Sequence, residues 1–322
     1  MKLKIKTVDN TLLITLAITA LLPSIGMAQS FPAKPIRIVT SEPGSGNDLV
    51  ARVIAHALGG TIGQNVVVDN RGILAGEITA KSPGDGYTLI CYGSPLWLAP
   101  FLRSKVPYDP VKDFAPITIA ATSPNVLVAH PSFPAATVSE LIALLKARPG
   151  SVNYASASAG SSSHLAGELF KLMTDVDLVR VPYRGTGPAV NALLGGHVQI
   201  MFAIAASAMP YVKSNKLKIL AVTSLKPSFL VPGVPTVADA GLPGYEAGSI
   251  QGVFAAAGTP ASTVDILNSA IRAVLLQRST HEKLLGYGVE TVGSSSTELA
   301  MTVNQEMSKL GKLIRDKNIR SD

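Results

Sequence analysis

From residue 36 onward, short apolar runs alternate with longer amphipathic stretches. Residues 36–40 (IRIVT), 65–69 (NVVVD) and 87–92 (YTLICY) read as strands, and 48–58 reads as a helix between the first two. Pro83-Gly84-Asp85-Gly86 is a strong turn signal ahead of the third strand. A second block repeats the alternation: a helix over 137–147, strand 152–155, a helix from about 163, strand 178–181, a helix near 188–194, and strands 198–204 and 217–222. The remainder is mainly helical, over 263–276, 279–285 and 295–314. Thr137/Glu140, Ser279/Glu282 and Ser295/Glu298 have the spacing of capping boxes. Strands alternating with helices predict parallel α/β sheets.

Two places break the rhythm. Around 117–130 two apolar runs flank Ser123-Pro124-Asn125, which reads as a crossing into a second lobe, and 248–257 reads as the return. The expected fold is therefore α/β and two-lobed. Each lobe is a sheet flanked by helices, and two crossovers make the hinge of a periplasmic-binding-protein-like clamshell. The lobes are expected at 29–127 plus 251–322, and at 128–250.

The N-terminus changes the setting. Lys2, Lys4 and Lys6 precede an apolar stretch at 11–22, too short for the roughly 20 residues of a spanning helix. Pro23 and the small residues Gly26 and Ala28 complete the pattern of a signal peptide over 1–28. Export to the periplasm is expected. The net charge is +7, but acidic and basic residues are mixed and aromatics make up only 5%. That argues against nucleic acid and suits an anionic solute. Cys91 is the single cysteine, so no intrachain disulfide forms, and its apolar strand predicts a buried thiol.

Two loops of one design carry the candidate chemistry. Pro43-Gly44-Ser45-Gly46-Asn47-Asp48 follows the first strand, and Ser158, Gly160, Ser161, Ser162 and Ser163 follow the strand at 152–155. Each opens a helix, where free backbone N–H groups and the positive dipole end suit an anion. Together they predict two jaws closing on one anionic solute. Thr186, in a polar turn opening the next helix, adds a hydroxyl, and Arg184 beside it offers a guanidinium. Ser94 and Trp97 follow the third strand and are expected to wall the cleft at the carboxyl edge of the sheet. No G-x-S-x-G, P-loop, HExxH or CxxC motif occurs. The five histidines are scattered. Neither a metal nor a cofactor is expected, and the chain reads as a monomeric binding protein rather than an enzyme. The alternatives are an exported serine hydrolase using Ser163 or Ser45, and an orphan ligand-sensing receptor in signalling.

Further segments carry a resemblance across the chain: FPAKPIRIVT at 31–40, NVVVDNR at 65–71, DGYTL at 85–89, YDPVKDFAPIT at 108–118, SSSHLAGELFK at 161–171, VPYRGTGPAVNALLGGHVQIMF at 181–202, LKILAVTS at 217–224, VPTVADAGLPGYE at 234–246 and AAAGTP at 255–260. In order, they resemble the Bug/TctC family of extracytoplasmic receptors that serve tripartite tricarboxylate transporters. The resemblance implies a small organic carboxylate as ligand, held by the loops at 43–48 and 157–163 through main-chain amides, hydroxyls and waters, and permease subunits as partners. The chain departs from the family in three places: Gly44-Ser45-Gly46-Asn47-Asp48 replaces a Gly-Gly-Ser/Thr-Asp type loop, 72–77 is shortened, and Ala203-Ile204 stands where many relatives carry Asp or Asn. The last departure, at Ala203, implies an apolar tail or ring on the ligand.

Overall fold

The computed structural model describes residues 31–157, 159–183 and 185–320. The expected signal peptide at 1–28 lies outside the described residues, as do Ser158 and Arg184. In chain order the first elements are β1 Ile36–Thr40, α1 Gly46–Ile62, β2 Val66–Asn70, a 3-10 turn Gly72–Leu74, α2 Ala75–Ala80, β3 Thr88–Gly93, α3 Pro95–Leu102 and the long β4 Phe114–Ala129. There follow α4 Val138–Ala147, β5 Asn153–Ser156, α5 Ser162–Thr174, β6 Val179–Pro182, α6 Thr186–Leu194, β7 Ile200–Ile204, α7 Ala205–Lys213 and β8 Lys218–Val222. The chain ends with β9 Gly248–Ala256, α8 Ala261–Leu275, α9 Arg278–Gly286, β10 Glu290–Thr291 and α10 Ser296–Asp316.

The strand order is β2-β1-β3-β9-β4-β7-β5-β6, with β8 and β10 also pairing with β4. The ladders β1–β2, β1–β3, β5–β6 and β5–β7 are parallel, as the helical crossovers require. The centre corrects the all-parallel expectation. β9 runs antiparallel to β3 and to β4, and β4 runs antiparallel to β7, β8 and β10. Rather than two apolar runs flanking a break, β4 is one strand through Pro124. Phe114 to Pro124 pair with β9, and Asn125 to Ala129 pair with β7 and β8. Pro124 has no N–H to donate, and it sits where the partner changes, one of the few places a central strand tolerates it.

Alternation along the strands fills four apolar layers. Leu127 packs with Phe202, Phe170 and Tyr245 beneath α4 and α5, whereas its neighbours Val126 and Val128 face α6 and α7. In the other half, Ile38, Cys91 and Val253 pack under α1 and α8, and Ile90 and Phe254 face α3 and α10. Burial and the nearby Asp48 charge push the Cys91 thiol up to about 12, so it is an inert apolar group there. Helix α10 touches both halves: Leu299 packs beside Trp97, and Leu313 packs in the layer of Phe170. Its start is a full Ser295/Glu298 capping box. The other two boxes are corrected. Thr137 caps α4, but Glu140 accepts from Ala136 N–H at 2.7 Å. α9 begins after Gln277 with no side-chain cap, and Glu282 pairs with Arg278 at 2.7 Å.

The α3–α10 contact corrects two expected cleft residues. Trp97 is 1% exposed, its ring lies 6.0 Å from Phe254, and its Nε1–H donates to Glu306 Oε2 at 2.8 Å. The Ser94 hydroxyl donates to the same oxygen at 2.8 Å. Both side chains turn inward to a carboxylate on α10 instead of walling a cleft. Burial raises the Glu306 carboxyl above its ordinary 4.5, against the two hydrogen bonds that favour its charged form. A raised native value means stability is fully present below the unfolded value and lost as pH rises through the native one. Urea unfolding at a series of pH values should therefore show Glu306→Gln gaining on the wild type as pH rises above about 4.5. A pH-independent gap would contradict the buried-carboxylate account.

Candidate functional site

The loop between β1 and α1 folds on itself through Asp48. This side chain is 4% exposed and accepts from Gly44 N–H at 2.9 Å, from Asn70 Nδ2 at 2.8 Å and from Arg52 Nε at 2.9 Å. Burial disfavours the charge, but those partners together hold the carboxyl below its usual range. Gly44 takes φ +79°, which its lack of a Cβ permits. Ser45 caps α1 by accepting from Asp48 N–H at 3.2 Å, contacts Ser41 Oγ at 2.5 Å, and donates its own N–H to Glu42 O at 3.2 Å. Asn47 Nδ2 donates to Ser41 Oγ at 3.2 Å.

Gly44, Ser45 and Asp48 are thus committed to building the loop, and Pro43 has no N–H to offer. Residues 43–48 thus divide between groups that build the loop and groups that leave a donor free. Among the described residues, the N–H groups of Gly46 and Asn47 have no protein acceptor. They are the outward donors of this jaw.

The second loop is built the same way. Arg180 donates to Ser156 Oγ at 2.7 Å and to Ala157 O at 3.2 Å, which ties the strand end. Ser163 Oγ accepts from Ala157 N–H at 3.0 Å, and Ser161 Oγ caps α5 through His164 N–H at 3.3 Å. His164 Nδ1 accepts from Gly160 N–H at 3.1 Å. Burial, then the Arg180 charge, lowers His164 to about 4, so near neutral pH it is a neutral acceptor that pins the loop. Gly160 has φ +76°, and a Cβ there would stand 2.5 Å from Leu102 at the end of α3.

The Gly160 N–H and the Ser161 and Ser163 hydroxyls therefore shape the loop. Ser162 remains outward, its hydroxyl 3.4 Å from Asn125 Oδ1. The Ser162 and Ser163 N–H groups have no acceptor among the described residues. Thr186 is half-buried in the first turn of α6, beside the β6 edge where Tyr183 N–H donates to Ser156 O at 2.9 Å.

Both helix N-termini border the β4–β9 ladder, and there the structure adds residues the sequence did not single out as contacts. Asn125 is fully buried and Gln251 is 3% exposed. Asn125 Nδ2 and Gln251 Oε1 lack partners among the described residues; Thr79 Oγ1, in α2, is the other buried atom in that state. Ala203 is corrected. It is fully buried against Val126 and Val128, facing α6 and α7, so it carries no information about a ligand tail. Its neighbour Ile204, on the alternate face, pairs with Asn125. A surface depression of about 620 Å³ is lined by Phe31, Thr61, Ile62 and Asp265 and touches neither loop.

Residues 50–319 match the tripartite tricarboxylate transporter family receptor, TctC. The chain is 37% identical over 307 residues to the UPF0065 protein in the tcbD-tcbE intergenic region of Pseudomonas sp. strain P51, covering 94% of this chain and 91% of that one. Among solved structures it is similar to R. palustris Rpa4515 with adipate, at TM-score 0.78 and 34% identity over 90% of this chain and 99% of the other. It is also similar to the periplasmic binding protein BugD, at TM-score 0.75 and 30% identity over 90% and 100%. These proteins are solute-binding receptors, not enzymes, which sets aside the hydrolase alternative. The two-lobed α/β clamshell expected from the strand pattern is their fold. The chain belongs to the TctC family of tripartite tricarboxylate transporter receptors.

Proposed function

We propose that this chain is a periplasmic receptor that closes two lobes on a small organic carboxylate and delivers it to the permease subunits of a tripartite transporter. The observation that carries the reading is the set of uncommitted donors at two helix N-termini: the N–H groups of Gly46, Asn47, Ser162 and Ser163, with Asn125 Nδ2 buried alongside. Donors without acceptors at the positive ends of two dipoles make a site for an anion, and a carboxylate accepts several such bonds at once. The relative solved with adipate supports the ligand class. On this reading the lobes are 29–127 plus 251–322, and 128–250, with the hinge where β4 and β9 cross. Ligand contacts made only when both jaws meet drive closure. A signal peptide over 1–28 would place the receptor in the periplasm, and among the described residues no helix is long and apolar enough to cross a membrane.

A thermal-shift screen of the exported chain against mono-, di- and tricarboxylates, aromatic acids, amino acids and neutral sugars tests the class. An acid at about a hundred times its Kd should add roughly 2.7 kcal/mol of stability. Stabilisation by sugars alone would overturn the reading. The α1 jaw is tested by Gly46→Val. A Cβ at 46 meets only Gln251 Nε2, at 3.9 Å, an ordinary contact, and it adds bulk at the residue that carries one of the free donors. The thermal midpoint should hold within a few degrees, whereas calorimetry should show affinity for the stabilising acid falling at least about tenfold, about 1.4 kcal/mol. Unchanged affinity would remove this jaw from the site.

A further inference from the structure

We infer that Leu102, at the end of α3, is a positioning residue that latches the second jaw loop when the lobes meet, acting through the loop and not on the ligand. This inference rests on the two-lobe closure reading above. Helix α3 follows β3 in the first lobe and is tied down along its length. The Ser94 hydroxyl and the Trp97 Nε1–H both donate to Glu306 Oε2 at 2.8 Å. Leu96, Trp97, Leu98 and Ala99 are buried, and Leu102 is 4% exposed. Leu102 is therefore a fixed point of that lobe.

The loop it meets belongs to the other lobe. Gly160 stands two residues before Ser162, the first residue of α5. A Cβ at 160 would stand 2.5 Å from Leu102 Cδ1, 2.9 Å from Cδ2 and 3.3 Å from Cγ, so the loop seats on Leu102 because its backbone is bare there. Gly160 N–H and the Ser161 hydroxyl are both bonded to His164, so a displacement of Gly160 carries into the turn that bears the Ser162 and Ser163 N–H groups. Leu165, in the same turn and 5% exposed, packs in the apolar layer of Leu102.

An apolar contact between two lobes lasts only while the lobes are together. Parting them returns the Leu102 and Leu165 surfaces to water, so their burial favours the closed arrangement. An interaction made in the closed state and lost in the open one adds to the affinity of any ligand that binds the closed state, however far from that ligand it lies. The hydrogen bond from Ser228 Oγ to Glu290 also joins the lobes, but Glu290 pairs with Thr122 of β4 beside the crossing, where a rotation parts groups least. The Leu102 contact sits on the jaw loop itself.

The test is a double-mutant cycle on the exported chain: wild type, Leu102→Ala, Gly160→Ala and the double variant. Calorimetry and stopped-flow fluorescence follow adipate, succinate, citrate and benzoate, and the tightest binder of the four is compared across the cycle. In the wild-type background Leu102→Ala should weaken that acid about fivefold or more, mainly through faster dissociation. In the Gly160→Ala background the same change should tighten binding about threefold or more, because it removes all three atoms the new Cβ meets, while the strain of a positive φ stays in both proteins. A merely structural leucine gives no such reversal. Leu102→Val replaces Leu102→Ala in both backgrounds should the alanine variant fold poorly. Affinities unchanged within about twofold on removing Leu102, or the same loss in both backgrounds, overturn the inference. Acid binding with either pattern sinks only the latch. A panel in which no acid binds sinks the carboxylate reading with it.

Discussion

The antiparallel ladder between β4 and β9 is the constraint on which the rest of the molecule depends. Its register runs from Phe114 opposite Ala256 to Pro124 opposite Gly248, and at Asn125 β4 exchanges β9 for β7 and β8. One strand therefore belongs to both halves of the sheet. Each half adds parallel strands outward from the ladder, so the loops after β1 and β5 both open beside it. Among the described residues the chain crosses between the halves twice, through β4 and into β9. Contacts away from the ladder also join the halves. Gly160 lies against Leu102, Ser228 Oγ donates to Glu290 at 2.6 Å, and α10 packs on both.

The two jaws divide their donors by one rule. Near the loop tip, Gly44 N–H goes to Asp48 and Gly160 N–H goes to His164. A hydroxyl caps each helix, and the next two N–H groups are left outward. The buried acceptors that build the loops are held in one protonation state, Asp48 charged through Arg52 and Asn70, His164 neutral through burial and Arg180. The donors left outward at the two helix starts are main-chain amides. The aligned peptide dipoles supply roughly half a unit of positive charge at each helix start.

Much of this was legible in local sequence. IRIVT between a Pro-rich entry and a Ser-Gly loop marks β1 residue for residue, and Ser295 with Glu298 marks the start of α10, because those signals are short-range. The paired Gly/Ser loops were legible for the same reason. What failed depended on partners far away in the chain. Trp97 looks like a cleft wall at the end of a strand, yet its partner Glu306 lies 209 residues on. Ala203 reads as a ligand contact from the resemblance, but strand alternation turns it into the core. The direction of β9 was invisible because antiparallel pairing in the middle of a sheet leaves no trace in local periodicity. Asn125 and Gln251 lie in the two crossings that the sequence marks, but only coordinates reveal an unpaired buried atom there.

Main-chain amides at two helix starts are the groups proposed to bind the ligand. The most direct measurement is a two-dimensional 1H–15N NMR titration of the 15N-labelled exported chain with an acid that stabilises it. The amide resonances of Gly46, Asn47, Ser162 and Ser163 should move together, with downfield proton shifts and one common dissociation constant, as a carboxylate accepts from all four. Perturbations confined to one jaw, or centred on Phe31, Thr61 and Ile62 at the surface depression, would contradict it.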